Sequence, residues 1–425
     1  MMEKDTRQNG ELILAQSGPA TLLSPMDSMA ELNRLLREQL AQDDASPTPS
    51  SVVVTEPSQT TVSVSDCATE VVTSMLLAND DKKVQIQLQQ LFEKLLVIYQ
   101  QANISIADRK RQYIAAHGLV MAPDQCVTTQ TDTHRVQAFI RGIDAALTKL
   151  DREQPEGSLR LLYPACGPFA PLLLPLLTYY RVNERFGRQR LQVTLIDMQP
   201  GAVASLQTLV QELQIESFIE SILCMDGCDY YSERPFDLLV VEAMQHGFSR
   251  EGHLPLVQHL VSQLSPHGLM IPARVLITAQ LAVGQYEFIE RWRNRSANEL
   301  PLSVERIELG EILSLTKESV SQLQTLNLGV DSSLVTCNQV TIPIIAADLG
   351  PQLLLVCTQV FTFGLDKVDE YQSGITHPLP DSQVCINFTP SDPKAGDLLL
   401  ESGDQIKFYY RLNGLPGFLA TKGNA

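Results

Sequence analysis

Four apolar runs in the middle of the chain each end on residues that can hold a ligand. LRLLYPACG stops at the turn Tyr163-Pro164-Ala165-Cys166-Gly167-Pro168-Phe169-Ala170, LQVTLIDM ends at Asp197 and Met198, FIESILCMD at Met225 and Asp226, and FDLLVVEAM at Glu242. A glycine-containing turn lets backbone approach a ligand, and an acid at the end of the next strand can take ribose hydroxyls, so the first two ends have the chemistry of a nucleoside site. A carboxylate at Asp226 can accept a hydrogen bond from an adenine amino group. Taken alone, the turn also fits a tight loop that binds nothing. The series of strand ends makes the stronger case, because open α/β sheets bind ligands in the crevice at those ends.

Elements of known period must carry these ends. Continuous apolar strands alternating with helix-length segments imply a parallel sheet covered on both faces. Pro168, Pro171 and Pro175 crowd the start of the helix after the turn, and Pro175 kinks or delays it. After LSPHGLMIPARVLITAQLAVG the runs become short and β-rich (VTIPII, LLLVCTQVFTFG, SQVCINFTP, DQIKFYYRLNG), which predicts an antiparallel sandwich or barrel. Upstream, Val84, Leu88, Leu91, Leu95 and Ile98 form one helical stripe that must be buried, against the main body or against a second chain as in a homodimer. Met29 to Leu40 is a shorter amphipathic candidate, and the Ser/Thr/Pro-rich stretch from Asp43 to Asp66 reads as a flexible linker. The division is then 1–125, a helical N-terminal extension; 126–275, a Rossmann-like α/β domain; and 276–425, a β-barrel-like domain.

With 32 Lys+Arg against 49 Asp+Glu, a net charge of −17 disfavours nucleic acid and anionic membrane as partners. No apolar run reaches the ~18 residues of a membrane span, and the N-terminus lacks a signal-peptide pattern, so a cytoplasmic protein is expected. Cys224 and Cys228 are the only close cysteine pair, with no second pair nearby, so no metal site is expected.

The order of turn, Asp197, Asp226 and FDLLVVE resembles the class I S-adenosylmethionine (SAM) methyltransferases, and the following segments resemble the protein arginine methyltransferases over roughly residues 126 to 425. Glu242 and Glu251 match that family's two glutamates, nine positions apart on a hairpin loop; Thr376-His377 matches its Thr-His-Trp loop; Asp132-Thr-His-Arg135 matches the Asp-x-x-Arg of the helix that covers the cofactor. The resemblance implies a Rossmann-like SAM-binding domain followed by a β-barrel. It also implies that Arg135, Pro164, Ala165, Gly167, Asp197, Met198, Met225 and Asp226 contact SAM, that Glu242 and Glu251 clamp a guanidinium, and that His377 pairs with Asp132 to carry a proton. The acceptor would be a guanidino group of a peptide or small molecule.

The chemistry explains why such a pair is useful. A guanidinium is a poor nucleophile that stays protonated, and two carboxylates matched to its planar fork can localise its charge away from the reacting nitrogen. Departures from the family pattern leave other readings open. Tyr163 stands where the family has an acid, Ala165 and Phe169 where it has glycines, Pro378 where it has Trp, and no Tyr-Phe-x-x-Tyr precedes Asp132. The alternatives are a non-catalytic partner subunit or scaffold and a SAM-dependent transferase with another acceptor.

Overall fold

The computed structural model describes residues 62–77, 80–187, 189–295, 299–329, 332–345, 352–386 and 393–423, and residues 62–425 form one compact unit. The helix candidate at Met29–Leu40 and linker positions 43–61 lie outside the described residues. The last positions assigned to the linker are helical: α1 spans Val64–Leu77. Ser63 and Asp66 explain this start, since Asp66 N donates to Ser63 Oγ (3.1 Å) and the Ser63 N and Oγ both donate to Asp66 Oδ2 (3.3 and 2.8 Å). This reciprocal cap was legible in the sequence as Ser-Val-Ser-Asp.

Helix α2, Asp81–Gln101, begins at the Asp80 cap and buries Val84, Leu88, Leu91, Leu95 and Tyr99. The stripe therefore packs on the body of its own chain, where Tyr99 and Phe92 meet the ring of Phe169 at 5.8 and 6.4 Å. A small hairpin follows, β1 (Tyr113–Ala115) and β2 (Gly118–Val120), which the division at 125/126 had placed in a purely helical extension. Helix α3, Thr133–Glu153, starts at the Asp132 cap.

The four expected strands are β3 (Leu159–Pro164), β4 (Leu191–Asp197), β5 (Ile219–Cys224) and β6 (Phe236–Val240), and β7 (Leu264–Ile271) completes a five-stranded sheet of order β5-β4-β3-β6-β7. All its pairings are parallel. Because β3 has β4 on one side and β6 on the other, the chain reverses its winding at β3, which is where an open sheet leaves a crevice. Helix α4 (Leu174–Val182) holds Pro175 in its first turn, so the prolines delay the helix rather than kink it. Helices α5 (Pro200–Glu212) and α6 (His253–Leu260) follow β4 and β6.

The remaining strands start at β8, Arg274–Val283, so the 275/276 division falls within a strand. Strands β9 (Ile307–Leu315), β10 (Thr325–Gly329), β11 (Ser332–Thr341), β12 (Gln352–Phe363), β13 (Asp366–Val368), β14 (Leu379–Asp381), β15 (Val384–Ile386), β16 (Leu398–Leu400), β17 (Gln405–Arg411) and β18 (Gly417–Lys422) complete the region. Among the described residues they form two antiparallel sheets, β13-β12-β8-β9 with β14 on β12, and β10-β11-β17-β18, plus the parallel pair β15-β16. Helix α3 lies on β12, where Thr362 Oγ1 donates to Ala138 O (2.9 Å) and Gly142 leaves no room for a side chain beside Thr362.

No helix among the described residues is long and apolar enough to cross a membrane.

Candidate functional site

The turn after β3 is shaped by the acid at the end of β4. Gly167 N donates to Asp197 Oδ2 (2.8 Å) and Gln199 N donates to Oδ1 (2.9 Å), so one carboxylate organises the ends of two neighbouring strands. Ala165 (φ 50°), Gly167 (φ 68°) and Ala170 (φ 40°) all take left-handed conformations, which strain alanine and suit glycine. Phe169, placed where the resembling family has a glycine, is buried against α2. Asp197 is itself buried, and desolvation pushes its carboxyl up to about 6 despite the two backbone donors. At the end of β5, Asp226 caps a short turn through Oδ1, which accepts Cys228 N at 2.8 Å.

These strand ends line a cavity of about 120 Å³, far more than the ~10–15 Å³ that one water needs. Of the residues singled out in the sequence, Ala165, Gly167, Asp197, Met198, Met225, Asp226 and Glu251 line it. The β1–β2 hairpin contributes His117 and Leu119, and Met121 follows it in the lining. The wall holds three carboxylates, Asp197, Asp226 and Glu251, and neither lysine nor arginine.

The other sequence candidates do not reach that wall. Pro164 lies behind it, buried in β3. Arg135 and Glu242 are bonded to each other: Arg135 Nη1 meets Glu242 Oε2 at 2.5 Å, and its Nη2 donates to Thr129 O at 2.6 Å. Side-chain exposure is 5% for Arg135 and 9% for Glu242, so this ion pair is out of water. Burial pushes the Glu242 carboxyl up and Arg135 opposes it; burial also works against the Arg135 charge, but Glu242 and then Asp132 outweigh it and hold its pKa high. The two residues expected to act separately, Arg135 on a cofactor and Glu242 on an acceptor, are thus joined in one ion pair.

Desolvation lowers the pKa of the His377 imidazole and the Asp132 charge, which reaches the ring, opposes it; the Asp132 oxygens are also bonded elsewhere. Asp132 Oδ2 accepts the Ser373 hydroxyl at 2.5 Å, and Oδ1 accepts Arg135 N at 3.3 Å as the cap of α3. His377 is exposed and stands beside the Tyr371 ring at 5.3 Å, while Tyr371 bonds Glu287 through its hydroxyl. The loop after Glu242 does fold back on itself: Gln245 N donates to Ser249 O (3.1 Å) and Ser249 N to Gln245 O (3.3 Å). Glu251 returns beside this bridge, where its Oε1 accepts Gln245 Nε2 at 2.9 Å. Burial first, then the charge of Glu242, pushes the Glu251 carboxyl up to about 7.

Sequence reasoning missed the hairpin, Gln199 and Gln245. The signal for the hairpin was YIAAHGLV, two β-prone triplets around a turn. Its Gly118 (φ 149°) is required because a Cβ there would lie 2.8 Å from Gly252 N. Nothing in the residue types marks either glutamine, since both act only through contacts distant in sequence.

No family profile and no curated protein matches the chain. Solved structures similar to it include the following three. The Trypanosoma brucei PRMT1 enzyme–prozyme heterotetrameric complex with AdoHcy is 16% identical, with 70% of this chain and 96% of that chain covered and a TM-score of 0.38. Arabidopsis thaliana protein arginine methyltransferase 10, in an open conformation, is 13% identical over 64% and 84%, with a TM-score of 0.35. YjhP from E. coli is 17% identical over 32% and 49%, with a TM-score of 0.21.

Proposed function

We propose that this chain is a SAM-dependent N-methyltransferase whose acceptor is a cationic nitrogen group, with a guanidino group of a peptide or small molecule as the class that fits best. The observation that carries the reading is the cavity wall, with three carboxylates and no lysine or arginine at the ends of a parallel sheet. A dinucleotide would bring a pyrophosphate into this acidic crevice with no cation to meet it. A nucleoside carrying a positive sulfonium matches it: on this reading Asp197 would take ribose hydroxyls with the lone pairs its two backbone donors leave, Asp226 an adenine amino group, and Met198 and Met225 would be apolar flanks.

When bound, SAM supplies an electrophilic methyl group on sulfur. The chain then has to orient the acceptor nitrogen behind that methyl and remove the proton that the new C–N bond makes acidic. Glu251 suits both tasks. It faces the cavity, it is steadied by Gln245, and a carboxyl titrating at about 7 can take a proton at neutral pH. Glu242 holds Arg135 instead of a second edge of the acceptor. The experiment is transfer of labelled methyl from SAM to free arginine and to arginine-rich peptides by wild type and Glu251→Gln: transfer by the first and its collapse in the second support the reading, and equal rates refute the role of Glu251.

A second reading is favoured by the turn itself. Ala165 and Ala170 in left-handed conformations, with Phe169 filling the space beside α2, describe a turn shaped by packing as much as by a ligand. A non-catalytic partner subunit would show no transfer to any acceptor.

A further inference from the structure

Gln199 is 2% exposed, and its side chain performs a task that the nucleoside reading does not call for. Its Nε2 donates to Arg111 O at 2.6 Å and to Met121 O at 2.9 Å. Those carbonyls flank the two strands of the hairpin, β1 beginning at Tyr113 and β2 ending at Val120, so one amide closes the hairpin at its base. Both bonds require the donor end of the amide, which fixes its orientation.

The same residue is tied to the strand-end acid, because Gln199 N donates to Asp197 Oδ1 at 2.9 Å. On the far side, Met121 Sδ accepts Gln245 Nε2 at 3.4 Å, and that same Nε2 donates to Glu251 Oε1 at 2.9 Å. The hairpin tip is fastened to the Glu251 loop as well: Leu119 N donates to Arg250 O at 2.7 Å, and Gly118 packs on Gly252. A continuous set of contacts therefore runs from Asp197 through Gln199 and Met121 to Gln245 and Glu251, and it passes along the cavity wall.

We propose that Gln199 is a positioning residue that couples the two sides of the cavity: by closing the β1–β2 hairpin, it lets a ligand seated on Asp197 set the position of Glu251. The inference rests on the assignment of Asp197 to the nucleoside side and Glu251 to the acceptor side. In its terms the hairpin is an acceptor-side wall whose register is fixed from the cofactor end.

The test is hydrogen exchange of the full chain, with and without S-adenosylhomocysteine as probe, for wild type, Gln199→Glu and Gln199→Met. The glutamate turns both donors into acceptors that face carbonyls; the methionine keeps the length without charge and carries the test if the glutamate variant folds poorly. Both variants should exchange the amides of residues 113–121 and 245–251 about tenfold faster than wild type without ligand, the mark of a released local unit. Added S-adenosylhomocysteine should protect residues 245–251 in wild type and not in the variants, and the acceptor KM should rise more than the SAM KM. Unchanged exchange of both segments in both variants overturns the proposal, as does ligand protection of 245–251 that survives the loss of Gln199. If S-adenosylhomocysteine protects nothing in wild type, the methyltransferase reading fails on its own, and the comparison without ligand still decides whether Gln199 holds the hairpin to the Glu251 loop.

Discussion

Glu242 and Glu251 stand nine positions apart on one loop, and the fold gives them opposite surroundings. Glu242 is matched to a buried guanidinium at 2.5 Å, whereas Glu251 meets an amide at 2.9 Å and faces a cavity. A carboxylate locked to an internal cation is part of the frame. One held only by a neutral donor keeps its capacity to bind an external cation or take a proton. Identical residue types nine positions apart therefore meet different neighbours, and under the proposed function that difference makes one a fastener and the other a reagent.

The widest gap between the two should appear in kinetics. Glu251→Gln should lower turnover by about 10²–10⁴-fold, the range for losing a positioned general base, while leaving SAM affinity nearly intact in a binding titration. The complementary effect should appear in stability. Glu242→Met leaves Arg135 buried without its partner and should cost roughly 3–5 kcal/mol in denaturant unfolding, and the double variant Arg135→Met/Glu242→Met should recover most of that loss. A Glu242→Met protein as stable as wild type would dissolve the distinction.

Titration sharpens the comparison further. Asp197 at about 6 and Glu251 at about 7 both lie above their unfolded values, so the native state holds protons that the unfolded chain has released. By linkage, the stability these two groups contribute is fully present below the unfolded carboxyl range and is lost as pH rises through those two values. The carboxyl groups of Glu287 and Asp404 are held low and act in the opposite direction. The contribution of Glu251 is therefore read as a difference: the unfolding free energy of wild type minus that of Glu251→Gln should decline from acidic pH toward about 7 and then level off. Turnover should follow the opposite course and rise as Glu251 deprotonates near 7. The smallest expected effect belongs to the turn: Ala165→Gly removes a left-handed alanine and should gain about 1 kcal/mol in thermal unfolding. No gain would mean that the turn is relaxed as it stands.

The parallel sheet was legible because its strands are continuous apolar runs that end on turns or acids; three of the four ends line one cavity, and Glu242 at the fourth turns away to Arg135. The α2 stripe was legible for the same kind of reason, a period that burial imposes. The Arg135–Glu242 pair was not legible, because the sequence neighbours of Arg135 mark a helix start and carry no trace of a residue 107 positions away. The bond from Ser373 to Asp132 was hidden in the same way, by 241 positions of separation. The role of Gln199 was invisible, since two backbone carbonyls from a hairpin leave no mark in residue types.

The central claim, that the acidic strand-end cavity holds SAM, is tested most directly by calorimetric titration of wild type and Asp197→Ala with SAM and with its demethylated product. Wild type should bind both, and Asp197→Ala should bind more weakly by about 1.5–3 kcal/mol, the range for a hydrogen bond to a charged group. A wild-type protein that gives no binding signal with SAM at millimolar concentration would contradict the claim.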